Sequence, residues 1–309
     1  MAASASNTTT VQYPIWIDRD NMYCDEANFK NHLAQKLNYS KNDANIIIQQ
    51  INGYIERNLP NYFWRSAAEK MNTEAIRVLL QTLEHSQLIY MLRYQDEYEH
   101  TALHWCALNR NNEMINVILD SVSEEECYQL LSITNEWRLT ALHLSCREGD
   151  TESVRLMLNH INQDMRYSLL QMTNNDGDTA LIYASYNGHT DVMKEIHESV
   201  TQTQWINLLH MKGEMTVLQA AVYWNEQSSI KAIRDSVSDE EWMQIVSTPL
   251  PEYYEAMYFN EGFYKQAVNR IDELRAAARV KSVLQTKNNS GMLSVVQGLP
   301  MIYSTITLQ

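Results

Sequence analysis

Four apolar stripes of one design punctuate the chain: Ile115–Leu119, Val154–Leu158, Val192–Ile196 and Ile230–Ile233, each set among polar residues. Apolar side chains three and four positions apart share one face of a helix, so each stripe predicts an amphipathic helix. Ahead of each stands a pair of small residues: Cys106–Ala107, Ser145–Cys146, Ala184–Ser185 and Ala220–Ala221. Small side chains let neighbouring helices approach closely, so a first, tightly packed helix is expected before the striped one. Behind each stripe a polar segment closes on apolar residues, as at Leu130–Leu131 and Leu208–Leu209. Ser123 with Glu126, Thr201 with Gln204, and Ser238 with Glu241 have capping-box spacing, which predicts a third, short helix per unit.

The units keep time. Thr101, Thr140, Thr179 and Thr216 stand before the small pairs, spaced by 39, 39 and 37 residues. Counting back 39 from Thr101 reaches Tyr62, and Ala68, Glu74, Ile76 and Leu79–Leu80 keep the pattern as a degenerate opening repeat. Beyond Pro251, the stretch Tyr253–Ile271 reads as a worn closing one. A period of this size is the mark of a solenoid. Between the first two helices, Gly149 and Gly188 suit a left-handed turn that ends the first helix. Arg110 and Asn225 hold the equivalent places. Asn tolerates that conformation, whereas Arg110 is expected either to be strained or to use a different turn.

These residues resemble the ankyrin repeat: T-A-L-H at Thr101–His104 and Thr140–His143, A-L-I at Ala180–Ile182, and N-G-H-T-D-V at Asn187–Val192. The resemblance runs from about Tyr62 to about Ile271 and is strongest from Asp96 to Val237. It implies an all-α ankyrin solenoid, here with an additional short helix per repeat and helical N- and C-terminal caps. The usual period is 33, so these units carry about six extra residues, which follow the second helix. Such extended units are similar to those of some invertebrate ankyrin arrays and of bacterial effectors delivered into eukaryotic cells.

Four segments are expected. Residues 1–61 form an arm and a helical cap, with Phe29, Leu33 and Leu37 on one helix face and Ala44, Ile47, Ile48, Ile51 and Ile55 on another. Repeats occupy 62–250, a degenerate last repeat and capping helix 251–287, and a loose tail 288–309. Terminal units need a polar outer face, which the caps supply.

Composition narrows the function. The formal charge is −14, and Gly (8) and Pro (5) are scarce for 309 residues. Lys265, Arg270, Arg275, Arg279, Lys281 and Lys287 against Asp272 and Glu273 give residues 264–287 a charge of +4, so the remainder carries −18 of that total. Such a surface repels a phosphate backbone, and no nucleic-acid partner is expected. No run of eighteen apolar residues exists, so no membrane partner is expected either. The polar start MAASASNTTT lacks the charged-then-apolar order of a secretory signal. Cys24, Cys106, Cys127 and Cys146 show no metal-ligand spacing and suit free thiols in a reducing compartment. A cytoplasmic monomer is expected, or one in the host cytosol if it is a delivered effector.

Candidate chemistry is sparse. His104 with Cys106 and His143 with Cys146 are pairs a nucleophilic mechanism would need, together with an orienting group and a pocket. Both His belong to the repeat signature, and the resemblance implies a buried imidazole bonded to the next repeat's backbone. Both Cys replace a small packing residue. No catalytic centre, cofactor or metal is therefore expected. Cys24 with His32, in the cap, is the alternative site of an enzyme.

The resemblance implies a binding face made of the tips before each Thr and two variable positions after the small pair. Carried over, the tips are Glu97, Tyr98 and His100; Glu136, Trp137 and Leu139; Asn175, Asp176 and Asp178; Lys212, Gly213 and Met215. The helix positions are Leu108 and Asn109, Arg147 and Glu148, Tyr186 and Asn187, Tyr223 and Trp224. Residues expected to contact a partner are Tyr98, His100, Leu108, Trp137, Leu139, Arg147, Asp176, Asp178, Tyr186, Asn187, Tyr223 and Trp224. Aromatics and Arg dominate binding energy when a partner desolvates them, so the expected function is binding another protein, as a scaffold or adaptor. A purely structural spacer is the third class.

Overall fold

A computed structural model of the protein describes residues 63–70, 73–82 and 85–248, all belonging to one unit of the chain. The expected arm and cap, the closing repeat, the basic 264–287 segment, the tail, Cys24 and His32 lie outside the described residues.

Among the described residues fifteen helices follow one another in five triplets. The first triplet is α1 (Phe63–Lys70), α2 (Thr73–Thr82) and α3 (His85–Arg93). The second is α4 (Ala102–Leu108), α5 (Asn112–Leu119) and α6 (Glu124–Leu131). The third is α7 (Ala141–Glu148), α8 (Thr151–Asn159) and α9 (Gln163–Leu170). The fourth is α10 (Ala180–Tyr186), α11 (Thr190–Ser199) and α12 (Gln202–His210). The fifth is α13 (Val217–Tyr223), α14 (Gln227–Asp235) and α15 (Asp239–Val246). Among the described residues bridge pairing is limited to two isolated bridges, Thr173–Thr179 and Lys212–Thr216.

Side-chain caps start these helices. Thr140, Thr179 and Thr216 each accept a hydrogen bond from the backbone N–H three residues on. Three of the third helices, α6, α12 and α15, begin at reciprocal boxes, Ser123 with Glu126, Thr201 with Gln204 and Ser238 with Glu241. A capping side chain contributes about 1 kcal/mol, which matters for helices of two turns that could not persist alone.

Packing supplies the rest. First helices stack on first helices, from α1 through α4, α7 and α10 to α13, and second helices likewise from α2 to α14. The third helices add a row, with α6 against α9 and α12 against α15. The small pairs are completely enclosed, Cys106, Ala107, Cys146 and Ala184 among them. Ile118, Met157, Ile196 and Ile233 of the stripes are equally buried. Truncating any one of these to Ala costs about 2–5 kcal/mol.

The turn between first and second helices is left-handed in the second to fifth triplets: φ is 53° at Arg110, 71° at Gly149, 75° at Gly188 and 59° at Asn225. Arg110 thus adopts the conformation expected of Gly, and its guanidinium reaches the Glu148 backbone carbonyl in the next repeat. At Gly149 nothing larger fits, since a Cβ would lie 2.5 Å from the His189 ring.

Candidate functional site

The tips are built around one side chain each. Asp96 Oδ1 accepts from the backbone N–H groups of Tyr98 and His100, both at 2.9 Å. Asn135 Oδ1 does the same for Trp137 (3.0 Å) and Leu139 (2.9 Å), and Asn174 Oδ1 for Asp176 (2.9 Å) and Asp178 (2.8 Å). A short carboxylate or amide that caps its own backbone folds the chain back on itself. Successive tips are then tied together: Glu136 N–H donates to the Tyr98 carbonyl and Asn175 N–H to the Trp137 carbonyl. The fourth tip arrives two residues shorter, with Met211 where the others have Asp or Asn. Gly213 accommodates it, because a Cβ there would stand 2.4 Å from the Asp178 carboxylate.

This stacking corrects two of the expected contact residues. His100 is only 8% exposed and Leu139 only 6%, so neither faces solvent. His100 is covered by the following tip: Asn135 Nδ2 donates to it at Nε2 at 3.2 Å, and the Trp137 ring packs 5.8 Å away, whereas Leu139 lies at the floor of a cleft lined also by Trp137 and Arg147. Tyr98, Trp137 and Trp224 are exposed at 44%, 47% and 57%. Asp176 and Asn187 are exposed as well, whereas Leu108, Arg147, Asp178, Tyr186 and Tyr223 are half-buried.

The exposed rings are mounted on others. Around His100 gather Trp105 (5.0 Å), Trp137 and Tyr98 (6.2 Å). Further along, Tyr183 meets Tyr186 at 5.2 Å, Tyr186 meets Trp224 at 6.0 Å, and Tyr223 meets Trp224 edge-on at 5.4 Å. Between the two groups lies a cleft of about 470 Å³ bounded by Trp137, Arg147, Asn174, Asp176 and Tyr183. Trp105 and Tyr183 escaped the sequence reading. Their signal was present, since Tyr183 sits three positions before Tyr186 on the same helix face. Trp105 Nε1–H donates to Asp96 at 2.8 Å and Asn174 donates to the Tyr183 hydroxyl at 2.9 Å, so both are fixed to tips.

Charge accumulates near Asp178. Burial first, then the neighbouring Asp176 and Glu214 carboxylates, push its acid up to about 6. Burial also pushes up the Tyr186 hydroxyl.

The repeat histidines are structural. Thr101 N–H donates to His104 Nδ1 at 3.1 Å, which leaves the proton on Nε2 for the Leu139 carbonyl at 2.9 Å. Thr140 N–H donates to His143 Nδ1 at 3.2 Å, while His143 Nε2 faces the backbone of Met172 and Asp178. Burial holds both imidazoles down to about 4. Burial raises the Cys106 and Cys146 thiols, and pushes the Cys127 thiol up to about 11. Thiols of that kind are unreactive. Among the described residues no group of three or more His, Cys, Asp or Glu could hold a metal ion.

Helices stacked three to a unit behind a row of tips define an α-solenoid. The family model for ankyrin repeats, in three copies, matches residues 123–203, and that stretch of the chain is built of ankyrin repeats. No curated protein matches the chain. Ankyrin repeats are generally protein–protein interaction modules. Among the described residues, no helix is long and apolar enough to cross a membrane.

Proposed function

We propose that the protein is a non-catalytic module that binds a partner protein against the face formed by its tips and first helices, as a scaffold or adaptor. The contact residues are Tyr98, Leu108, Trp137, Arg147, Asp176, Asp178, Tyr186, Asn187, Tyr223 and Trp224. The carrying observation is the exposure of Trp137 (47%) and Trp224 (57%) on rings that hold them in place. Large rigid aromatics kept in water lose little side-chain entropy when covered, which makes them binding anchors. The module comprises residues 62–250 and acts as a monomer in a reducing compartment such as the cytosol; three free, buried Cys support the compartment. Cross-linking in the native cell followed by mass spectrometry tests the reading. Peptides of one partner should cross-link to the tips and first helices. Cross-links confined to the third helices would refute it.

A further inference from the structure

The second tip, which carries Trp137, is held by one side chain with two tasks. Asn135 Oδ1 accepts from the backbone N–H groups of Trp137 and Leu139, and its Nδ2 donates to His100 Nε2 at 3.2 Å in the first tip. The amide cannot be turned round, because its NH2 group would then face those two N–H donors. His100 Nε2 must therefore be an unprotonated acceptor, and the proton of the ring sits on Nδ1. That nitrogen is buried and has no hydrogen-bond partner among the described residues, with the Asp96 carboxylate 3.7 Å away. The Trp105 and Trp137 rings lie 5.0 and 5.8 Å from the imidazole.

A second proton, at Nε2, turns this acceptor into a donor aimed at another donor, and the contact with Asn135 becomes repulsive. Asp96 favours the resulting cation where it stands, so Asn135 is the member that moves. The N–H groups of Trp137 and Leu139 then lose their shared acceptor. The charged and titratable groups facing the ring are Asp96 of its own tip, Glu136 of the second, Arg147 of α7 and His104 of α4. Burial holds the His100 imidazole below its ordinary 6.5, Asp96 and Glu136 oppose that, and Arg147 adds to it. His104, at about 4, stays neutral in mild acid. The following tips carry Leu139, Asp178 and Met215 at the place of His100. In the third tip Asn174 Nδ2 donates instead to the Tyr183 hydroxyl, which mild acid leaves unchanged.

We infer that His100 is a pH-operated latch on the second tip: protonated at Nε2, it expels the Asn135 amide, and Trp137 loses its fixed seat while the repeats stay folded. The consequence rests on the binding role proposed above, since a partner anchored on Trp137 is then held at neutral pH and released in mild acid. The latch itself belongs to the free chain. A failed latch therefore leaves the binding face standing, and a failed binding face leaves the latch.

The test is an NMR titration of the full, nitrogen-labelled chain from about pH 7.5 to about pH 5, on both sides of the ordinary histidine value. The His100 ring nitrogens should report protonation, and the Asn135 side-chain amide and the Trp137 and Leu139 backbone amides should shift with the same midpoint. Hydrogen exchange at the Leu139 N–H, corrected for its intrinsic pH dependence, should quicken about tenfold on the acid side, as one lost hydrogen bond allows. Circular dichroism should keep its native helix signal throughout. His100→Gln retains an acceptor for Asn135 and does not titrate, so the same amides should stay still, although Asp178 still titrates in that range. His100→Leu, with the residue that the second tip carries at this place, is the second variant and should behave likewise. Second-tip amides that ignore the protonation of His100, or that move equally in both variants, would overturn the latch. Helix loss at the same midpoint would overturn it too, because acid would then be unfolding the repeats rather than releasing one tip.

Discussion

His104 Nε2 lies 2.9 Å from the carbonyl oxygen of Leu139, thirty-five residues further along the chain. One buried imidazole therefore caps its own helix through Thr101 and fastens the next tip. In the fifth unit Gln219 performs both tasks: its Oε1 accepts from Thr216 N–H at 3.0 Å, and its Nε2 donates to the Thr248 carbonyl at 3.1 Å. An acceptor and a donor at the two ends of one side chain thus serve the second and fifth units alike, with or without an imidazole, while Ile182 holds the same place in the fourth with neither.

His104→Gln should consequently retain most of the stability that His104→Ala loses. Ala leaves a buried N–H and a buried carbonyl unpaired, a loss of about 2–5 kcal/mol in urea unfolding. Equal destabilisation by both variants would show that the ring's packing, not its two hydrogen bonds, is what matters.

Acid should weaken the fold through the same histidines. His104 and His143 titrate at about 4 when folded, against an ordinary 6.5. Between those values the unfolded chain binds more protons, so stability falls as pH drops through the window, by on the order of 3 kcal/mol for each. Asp178 works in the other direction. Its folded carboxyl, at about 6 against an ordinary 3.8, holds a proton that the unfolded chain has released, so its unfavourable contribution grows as pH rises from about 4 to about 6 and is constant above that. Asp178→Asn should therefore be more stable than the native chain at pH 7.5 and lose that advantage below pH 4. An advantage that is independent of pH would contradict the assignment.

Much of this was legible from residues close together in sequence. Ser123–Glu126, Thr201–Gln204 and Ser238–Glu241 announce third helices because a cap is settled within four residues. The tips were not legible in the same way. The roles of Asp96, Asn135 and Asn174 depend on the chain doubling back, and the burial of His100 depends on Asn135 and Trp137 of the neighbouring tip. Arg110 is intermediate: its place in the period fixed the need for a left-handed residue, but the reach of its guanidinium to Glu148 is a tertiary fact.

The helix junctions offer a paired test. Gly149→Ala should cost more than the roughly 1 kcal/mol expected of a left-handed Ala, because its Cβ would strike the His189 ring. Asn225→Gly, at φ 59°, should be neutral or slightly stabilising. Thermal melts of the two variants should move in different directions or by clearly different amounts; a Gly149→Ala chain as stable as the native one would show that the junction has room.

Cys106 and Cys146 are completely buried, and burial raises both thiols. In the native protein they should resist iodoacetamide at pH 8 and react promptly once urea unfolds the chain. Fast alkylation of either in the folded state, read by mass spectrometry, would place the small pairs on the wrong helix face.

The central claim is that the aromatic face of tips and first helices is the interface, and its most direct measurement is the affinity of the cross-linked partner for the Trp137→Ala, Trp224→Ala double variant. Circular dichroism should first show native helix content, since both rings are largely outside the core. Loss of either anchor should remove about 2 kcal/mol, roughly thirty-fold, and loss of both should abolish capture at concentrations that saturate the native chain. A folded double variant that binds the partner with native affinity would contradict the account.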